Sequence, residues 1–270
     1  MYNLRSLPLR KRLVLGALQI TDMFGFNFTR TVRAVRWTPR FIRDLMRYRR
    51  LPAPVNFGLS WRDLAPVLGD FRGSAGNLDP HYFHQDLWAA RKIFQRRPRL
   101  HVDVGSRIDG FIAHVLVFTN VQIIDIRPLK RQVKGLTTIQ ADATRLENIA
   151  DNSIVSLSTL NAAEHFGLGR YSDPIDPNAH EKFMAALQRV LAPGGVLYFA
   201  VPIGQERLEF NALRVFHPTT VCKYFRQLEL MSFSYIDDGS DLHEDVRVEE
   251  VSNDMVLGCG LYEFVKPVAI

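Results

Sequence analysis

The chain is predicted to fold as a doubly wound α/β domain behind an N-terminal helical extension, and three observations predict it. From residue 99 onward, strand-like runs alternate with helical ones. The first of these, His101-Val-Asp-Val-Gly-Ser-Arg-Ile-Asp-Gly110, reads as a buried-type strand, a tight turn at Gly105 and the start of a helix. Three successive strands then end in an acid beside a small residue or a turn: Asp103, Asp125 and Asp142. In sheets of this kind the ligand sits just beyond the carboxyl ends of the strands, which is where these acids fall.

Composition sets the outer limits. The 270 residues, 47% apolar and 23% charged, suit one large globular domain or one domain with an extension. Two cysteines, Cys222 and Cys259, match no metal-ligand spacing and make no disulfide framework. They read as small hydrophobes in a reducing, cytoplasmic setting. The net charge of +6 conceals an asymmetry. Residues 1–50 hold twelve Lys and Arg against Asp22 and Asp44, while the remainder is mildly acidic. The chain therefore reads as a basic helical arm (1–50), a linker with a lid helix (51–98) and a catalytic-type body (99–270). In the arm, the apolar run Leu13 to Ile20 is too short to span a bilayer, and no small-residue cleavage site marks a signal peptide.

The arm reads as two or three short helices, with Thr38-Pro39 as a start: a capping hydroxyl, then proline at the first helical position. Phe41, Ile42, Leu45 and Met46 share a face and the arginines lie largely elsewhere. Such a helix can lie on an anionic membrane surface or pack on its own domain. Residues 51–80, rich in Pro, Gly and Asn, read as loops, and a helix follows from about 80 to 95. Strands are expected at 100–104, 120–125, 137–140, 154–159, 195–201, 229–236 and 255–264, with helices at 109–117, 178–191 and 217–226. This alternation implies a largely parallel sheet covered on both faces. No helical pattern lies between the last two strands, and the intervening Asp237-Asp-Gly-Ser-Asp241 is a polar loop, so they are expected to pair antiparallel. Pro193-Gly194-Gly195 ends one helix and turns the chain into a buried strand.

The acids point to a nucleoside. Asp125 lies 22 residues beyond Asp103, the position from which a carboxylate bonds ribose hydroxyls. Asp142, in Gln140-Ala-Asp-Ala143, is placed to accept from an adenine amine. The ordered set, including Glu164-His165 after the fourth strand and the Leu-Ala-Pro-Gly-Gly195 turn, resembles class I S-adenosylmethionine-dependent methyltransferases over residues 99–265. The resemblance implies a Rossmann-like, seven-stranded methyltransferase sheet with an antiparallel last strand. His81-Tyr-Phe-His-Gln-Asp-Leu-Trp88, the Gly105 loop, Glu164 to Pro174 and Phe210 to Phe216 resemble, more closely, a bacterial domain family of unknown function. Its members look like methyltransferases and often accompany surface-polysaccharide biosynthesis, which implies a glycan-related acceptor.

By the methyltransferase resemblance Gly105 and Ser106 would let the backbone pass the methionyl part of S-adenosylmethionine, and Gly110, the loop's final glycine one position late, would also bind the cofactor. Asp103 would orient the loop or reach the cofactor amine. Asp125 would hold the ribose with Ile126 against the adenine face, Asp142 and Ala143 the adenine edge, and Ser158 to Asn161 the floor near the sulfonium. Arg107 replaces the second glycine of the usual loop, and could crowd the methionine, point outward or pair with its carboxylate. His165 would serve as general base, or else as a plain helix-start residue. Glu164 would orient His165 or bind the cofactor. Tyr82, Phe83, Gln85 and Trp88 would form a lid, or a helix packed on the sheet, and 167–177 would be a loop over the acceptor. No metal is expected. The partners implied are a small-molecule or glycan acceptor and, through residues 1–50, an anionic membrane surface at the cytoplasmic face. Nucleic acid is not favoured for the mildly acidic body. A nicotinamide dehydrogenase would need a G-x-G-x-x-G loop that is missing. The competing reading is a non-catalytic cofactor-binding or membrane-surface protein of the same fold.

Overall fold

The computed structural model describes residues 10, 20–52, 59, 60, 62, 64–69, 71, 79–127, 129, 131–171 and 173–268. The chain divides into two units, Met1–Leu78 and Asp79–Ile270. In the first, helix α1 runs from Phe28 to Arg49. It starts at Asn27, whose side chain accepts from Arg30 N at 2.9 Å. This corrects the expected start at Thr38-Pro39. The helical pattern holds its phase across Pro39, so the proline stays inside, losing one backbone hydrogen bond, and Thr38 Oγ1 donates back to Ala34 O at 2.8 Å instead of capping. The two or three short helices are, over 28–49, one. Residues 13–19 of the apolar run and much of the 51–80 linker lie outside the described residues. Among the described residues, no helix is long and apolar enough to cross a membrane.

The second unit opens with α2 (Pro80–Arg96), which has proline in its first turn. Then come β1 (Leu100–Val104), a π-helical turn Ile108–Ile112 running into α3 (Ala113–Val115), β2 (Asn120–Asp125), β3 (Leu136–Gln140) and β4 (Ile154–Leu160). After a 3-10 turn at Ala163–His165 follow α4 (Ala179–Val190), β5 (Leu191–Ile203), β6 (Arg207–Glu209), β7 (Leu213–Val215), α5 (Pro218–Tyr224), β8 (Glu229–Ile236), β9 (Leu242–His243) and β10 (Gly258–Val265). The sheet order is β3-β2-β1-β4-β5-β10-β8-β9. The first five pair parallel, and β10 lies antiparallel between β5 and β8. The expected antiparallel pairing of the last two long strands is therefore present.

The fold is Rossmann-like, but the sheet has eight strands rather than seven. The extra one, β9, pairs Tyr235↔His243 and Ile236↔Leu242 at the edge. Asp237 makes it: its Oδ1 accepts from Gly239 N and Asp241 N at 2.8 and 3.0 Å, turning the chain back on β8. The β6–β7 hairpin was not foreseen either, since three-residue strands carry no measurable period. Among the described residues no helix joins β2 to β3 or β3 to β4, so Thr137 and Thr138 on β3 stay exposed where cover on both faces was expected.

Two apolar layers hold the sheet. Along β5, Leu197, Phe199 and Val201 face α4 and α5 with Phe183, Leu187 and Phe225; Tyr198 and Ala200 face α2 with Trp88 and Ile93. The period-two alternation of a strand serves both sides. Each such fully buried side chain contributes about 1.5–3 kcal/mol. Pro193-Gly194-Gly195 loops out within β5: Leu191 pairs with Ile154, but the next partners are Val196 and Ser156. A Cβ on Gly195 would lie 2.7 Å from Ala192 O and 2.9 Å from Ile154 O, both backbone. Gly195→Ala is therefore expected to destabilise the protein by about 2 kcal/mol, read as a lower urea midpoint at unchanged slope; a neutral result would show that this turn is free to move.

Candidate active site

The carboxyl ends of β1, β2 and β4 open on a cavity of about 380 Å³, within the range of small-molecule sites. Gly105, Asp125, Ile126, Asp142, Ala143 and Asn161 lie on its wall, as does His165. Asp103, Ser106, Gly110 and Glu164 do not line it. The sequence separation between these groups is spanned by the parallel register, which sets β1 between β2 and β4.

Gly105 turns the chain at φ +75°, and a Cβ there would stand 3.2 Å from Ala162 Cβ. Glycine thus supplies both the turn and the close approach. Asp103 is fully buried and faces inward. Its Oδ1 accepts from Ser106 N at 3.0 Å; its Oδ2 accepts from Ser106 Oγ at 2.6 Å and Ser158 Oγ at 2.5 Å. The carboxylate is thus bonded to the loop after β1 and to β4, and it does not line the cavity. Burial pushes its pKa up to about 6 against these hydrogen bonds. Ser158 Oγ donates its hydrogen bond to Asp103, so it accepts from His101 Nε2 at 2.8 Å, and His101 Nδ1 accepts from Ser156 Oγ at 2.8 Å. Burial holds His101 down at about 3, uncharged. Ser106 Oγ in turn accepts from Leu160 N at 2.9 Å. Ser158, expected on the floor, is therefore committed beneath it, and of Ser158 to Asn161 only Asn161 reaches the wall. Asn161 takes φ +53° and donates its N–H to Ala200 O, a conformation asparagine tolerates better than most residues.

Gly110 packs against α2 instead: a Cβ there would collide with the Asp86 carboxylate. Arg107 takes the outward option, pairing with Asp109 at 3.0 Å and lying 4.6 Å from the Tyr82 ring centre. Gln85 and Trp88 are buried in the core, so α2 packs on the sheet and does not roof the cavity.

Asp125 is engaged by a residue that sequence reasoning passed over. Arg127 donates to its Oδ1 from N and Nε at 2.8 and 3.0 Å, and to its Oδ2 from Nη2 at 2.7 Å. Partial burial opposes ionisation, but these bonds and the guanidinium charge win, holding the carboxyl below its ordinary range. The same guanidinium lies 4.9 Å from the centre of the Tyr171 ring, on the loop between β4 and α4. Asp142 Oδ1 accepts from Thr144 N and Oγ1 at 2.8 and 2.7 Å, which closes a turn at the wall.

The loop after β4 is held by a second unforeseen residue. Arg214, on β7 and 9% exposed, donates to Glu164 O, Phe166 O and Pro177 O. His165 Nδ1 donates to Ala212 O at 2.7 Å, which leaves Nε2 as acceptor, 3.5 Å from Glu164 Oε1. Burial lowers His165 to about 4 and raises Glu164 to about 8. At neutral pH His165 is uncharged and Glu164 carries the proton of the pair. Glu164 Oε2 is buried without a partner. Among the described residues no group of three or more His, Cys, Asp and Glu is placed to hold a metal.

A carboxyl whose folded pKa lies above its unfolded value stabilises the protein fully below the unfolded pKa and loses that contribution as pH rises through the folded one. For Glu164 the window runs from about 4.5 to about 8. Glu164→Gln, which stays neutral at every pH, is expected to match the wild type in melting temperature at pH 4 and to exceed it at pH 8.5. Equal melting temperatures at pH 8.5 would mean that the ionised carboxylate finds a partner or water.

Solved structures share the fold. The [4+2]-cyclase SpnF superposes with a TM-score of 0.51 at 13% identity, covering 69% of this chain and 82% of that one. Burkholderia thailandensis 1,6-didemethyltoxoflavin-N1-methyltransferase, with bound 1,6-didemethyltoxoflavin and S-adenosylhomocysteine, gives 0.47 at 12% identity, with 69% and 80% covered. N-methyltransferase NodS from Bradyrhizobium japonicum WM9, with S-adenosylhomocysteine, gives 0.46 at 13%, with 69% and 86% covered. At this identity the SpnF superposition establishes architecture alone. No curated protein matches the sequence. Residues 114–257, more than half of the chain and including the Glu164-His165 turn and the Arg214 hairpin, match the family described as Caenorhabditis protein of unknown function, DUF268. To that family the chain belongs.

Proposed function

We propose that the chain is an S-adenosylmethionine-dependent methyltransferase acting on a small or glycan-linked acceptor, with a place in surface-polysaccharide biosynthesis, held peripherally at the cytoplasmic face of a membrane through residues 1–50. One observation carries the methyl-transfer reading. A left-handed glycine, an acid ending β2 and an acid-bearing turn after β3 converge on a single cavity at the carboxyl edge of a parallel sheet.

The residues present fit the cofactor. The turn at Gly105 leaves a backbone cradle that a Cβ would fill against Ala162. Asp125 would take the ribose diol, Ile126 the adenine face, and Asp142 with Ala143 the adenine edge. Asp103 and Ser106 act from beneath by fixing the turn, and Gly110 by letting α2 pack close. Asn161, on the cavity wall, would hold the methionyl end. The cofactor supplies an electrophilic methyl on a sulfonium, and its in-line displacement needs chiefly alignment of donor and acceptor. His165 faces the cavity as a neutral hydrogen-bond acceptor held by Ala212 O. Glu164 behind it is the stronger base of the pair, available once ionised near pH 8. The loop of Gly167, Tyr171 and Asp173 closes the acceptor side.

A second reading has one observation in its favour. Arg127 already occupies both oxygens of Asp125 and reaches Tyr171 across the cavity. A chain that keeps this arrangement would be a non-catalytic cofactor-binding or membrane-surface protein. Calorimetry tests the cofactor site on which methyl transfer depends, and methyl release to an acceptor separates a catalyst from a protein that only binds the cofactor. Micromolar binding of S-adenosylhomocysteine is expected, weakened at least about tenfold by Asp125→Ala, the worth of a hydrogen bond to a charged group. No heat from folded wild-type protein would overturn the methyltransferase reading.

A further inference from the structure

Helix α1 presents two apolar faces, and it uses only one. At 100° per residue its side chains sort into three stripes. Phe28, Val32, Val35, Ile42 and Met46 fall within about 80° of arc, and all five are exposed, Val35 at 70% and Met46 at 54%. Arg33, Arg36, Arg40, Arg43 and Arg47 form the adjoining stripe. Ala34, Trp37, Phe41 and Leu45 form the third, half-buried, with Trp37 5.5 Å from Phe71. Phe41 and Ile42, expected on one face, therefore belong to different ones. The single acid, Asp44, lies beyond the arginine stripe and already pairs with Arg40 and Arg43 at 3.5 and 3.4 Å.

We propose that the exposed apolar stripe and the arginine row beside it seat α1 lengthwise on the surface of an anionic lipid bilayer. The proposal rests on the peripheral reading given above for residues 1–50 and is independent of methyl transfer. Guanidinium groups match phosphate oxygens bidentately, and an apolar stripe flanked by cations enters the boundary between headgroups and acyl chains. Seven arginines in 22 residues bar the helix from crossing the bilayer. Charge complementarity selects this occupant. Nucleic acid would meet the arginines but leave Val35, Ile42 and Met46 in water. A second copy of α1 would cover the apolar stripe but return only Asp44, already paired, to five arginines.

The test uses the full chain and sedimentation with vesicles of phosphatidylcholine alone or with one-third phosphatidylglycerol. Binding to the anionic vesicles is expected to exceed that to neutral ones at least tenfold and to fall with salt. Arg36→Gln/Arg47→Gln should weaken it roughly 25-fold, at about fivefold per basic residue near such a surface. Val35→Ser/Ile42→Ser, which keeps every charge, should also abolish partition at low salt. Circular dichroism and S-adenosylhomocysteine binding by each variant report folding of the two units. Vesicle binding unchanged in Val35→Ser/Ile42→Ser would overturn the proposal. So would wild-type protein that ignores anionic vesicles while binding RNA or dimerising through this stripe. Folded wild-type protein that binds anionic vesicles but not S-adenosylhomocysteine would count against the methyltransferase reading alone.

Discussion

A buried carboxylate is the constraint on which the second unit depends. Asp103 brings a charge-bearing group to the centre of the sheet, where an unpaired carboxylate costs several kcal/mol. Three donors from two segments answer it: the backbone and hydroxyl of Ser106 and the hydroxyl of Ser158. Each of those hydroxyls serves a second partner, Leu160 N or His101. The turn at Gly105 and the end of β4 are thereby held at a fixed separation, with Ala162 against Gly105. A site whose walls come from different strands needs that kind of support, because the strand ends are otherwise free to move apart.

The far side of the cavity is held differently. The chain from 164 to 177 has little regular structure, and its carbonyls would be costly to leave unmet where they are covered. Arg214 answers three of them from the short β7, and Ala212 O fixes the tautomer of His165. The β6–β7 hairpin, with no residue on the cavity wall, thus sets the conformation of the loop that has several there. The donors of Arg214 are spent on backbone, so the burial of a guanidinium without a carboxylate partner has a physical explanation.

Much of this was legible in the chain. The main strands and the antiparallel pairing of the last two long ones follow from apolar runs and turn chemistry, signals written within a few residues. The glycine turn and the acids at 125 and 142 were legible for the same reason. Arg127 was not, although it stands two residues from Asp125, because nothing in the sequence says that an arginine will fold back on its neighbour. Arg214 carried a faint signal, an arginine between Leu213 and Val215 in an apolar strand. The helix through Pro39 was misread because a local start signal competed with a longer periodicity, and the longer one prevailed.

The sequence by itself determined the main architecture of the sheet, the edge at which the cavity opens and the basic character of the arm. All three depend on local propensity, period and charge, which need no knowledge of distant contacts. Tertiary structure alone decided which acids face the cavity. Asp103 and Asp125 end neighbouring strands in equivalent sequence settings, yet one is sealed beneath the floor by two serines and the other stands on the wall against an arginine. Tertiary structure also decided the proton balance of Glu164 and His165, since burial, not residue type, drives the two pKa values in opposite directions. Burial is a property of everything packed around a group, and no segment of chain encodes it alone.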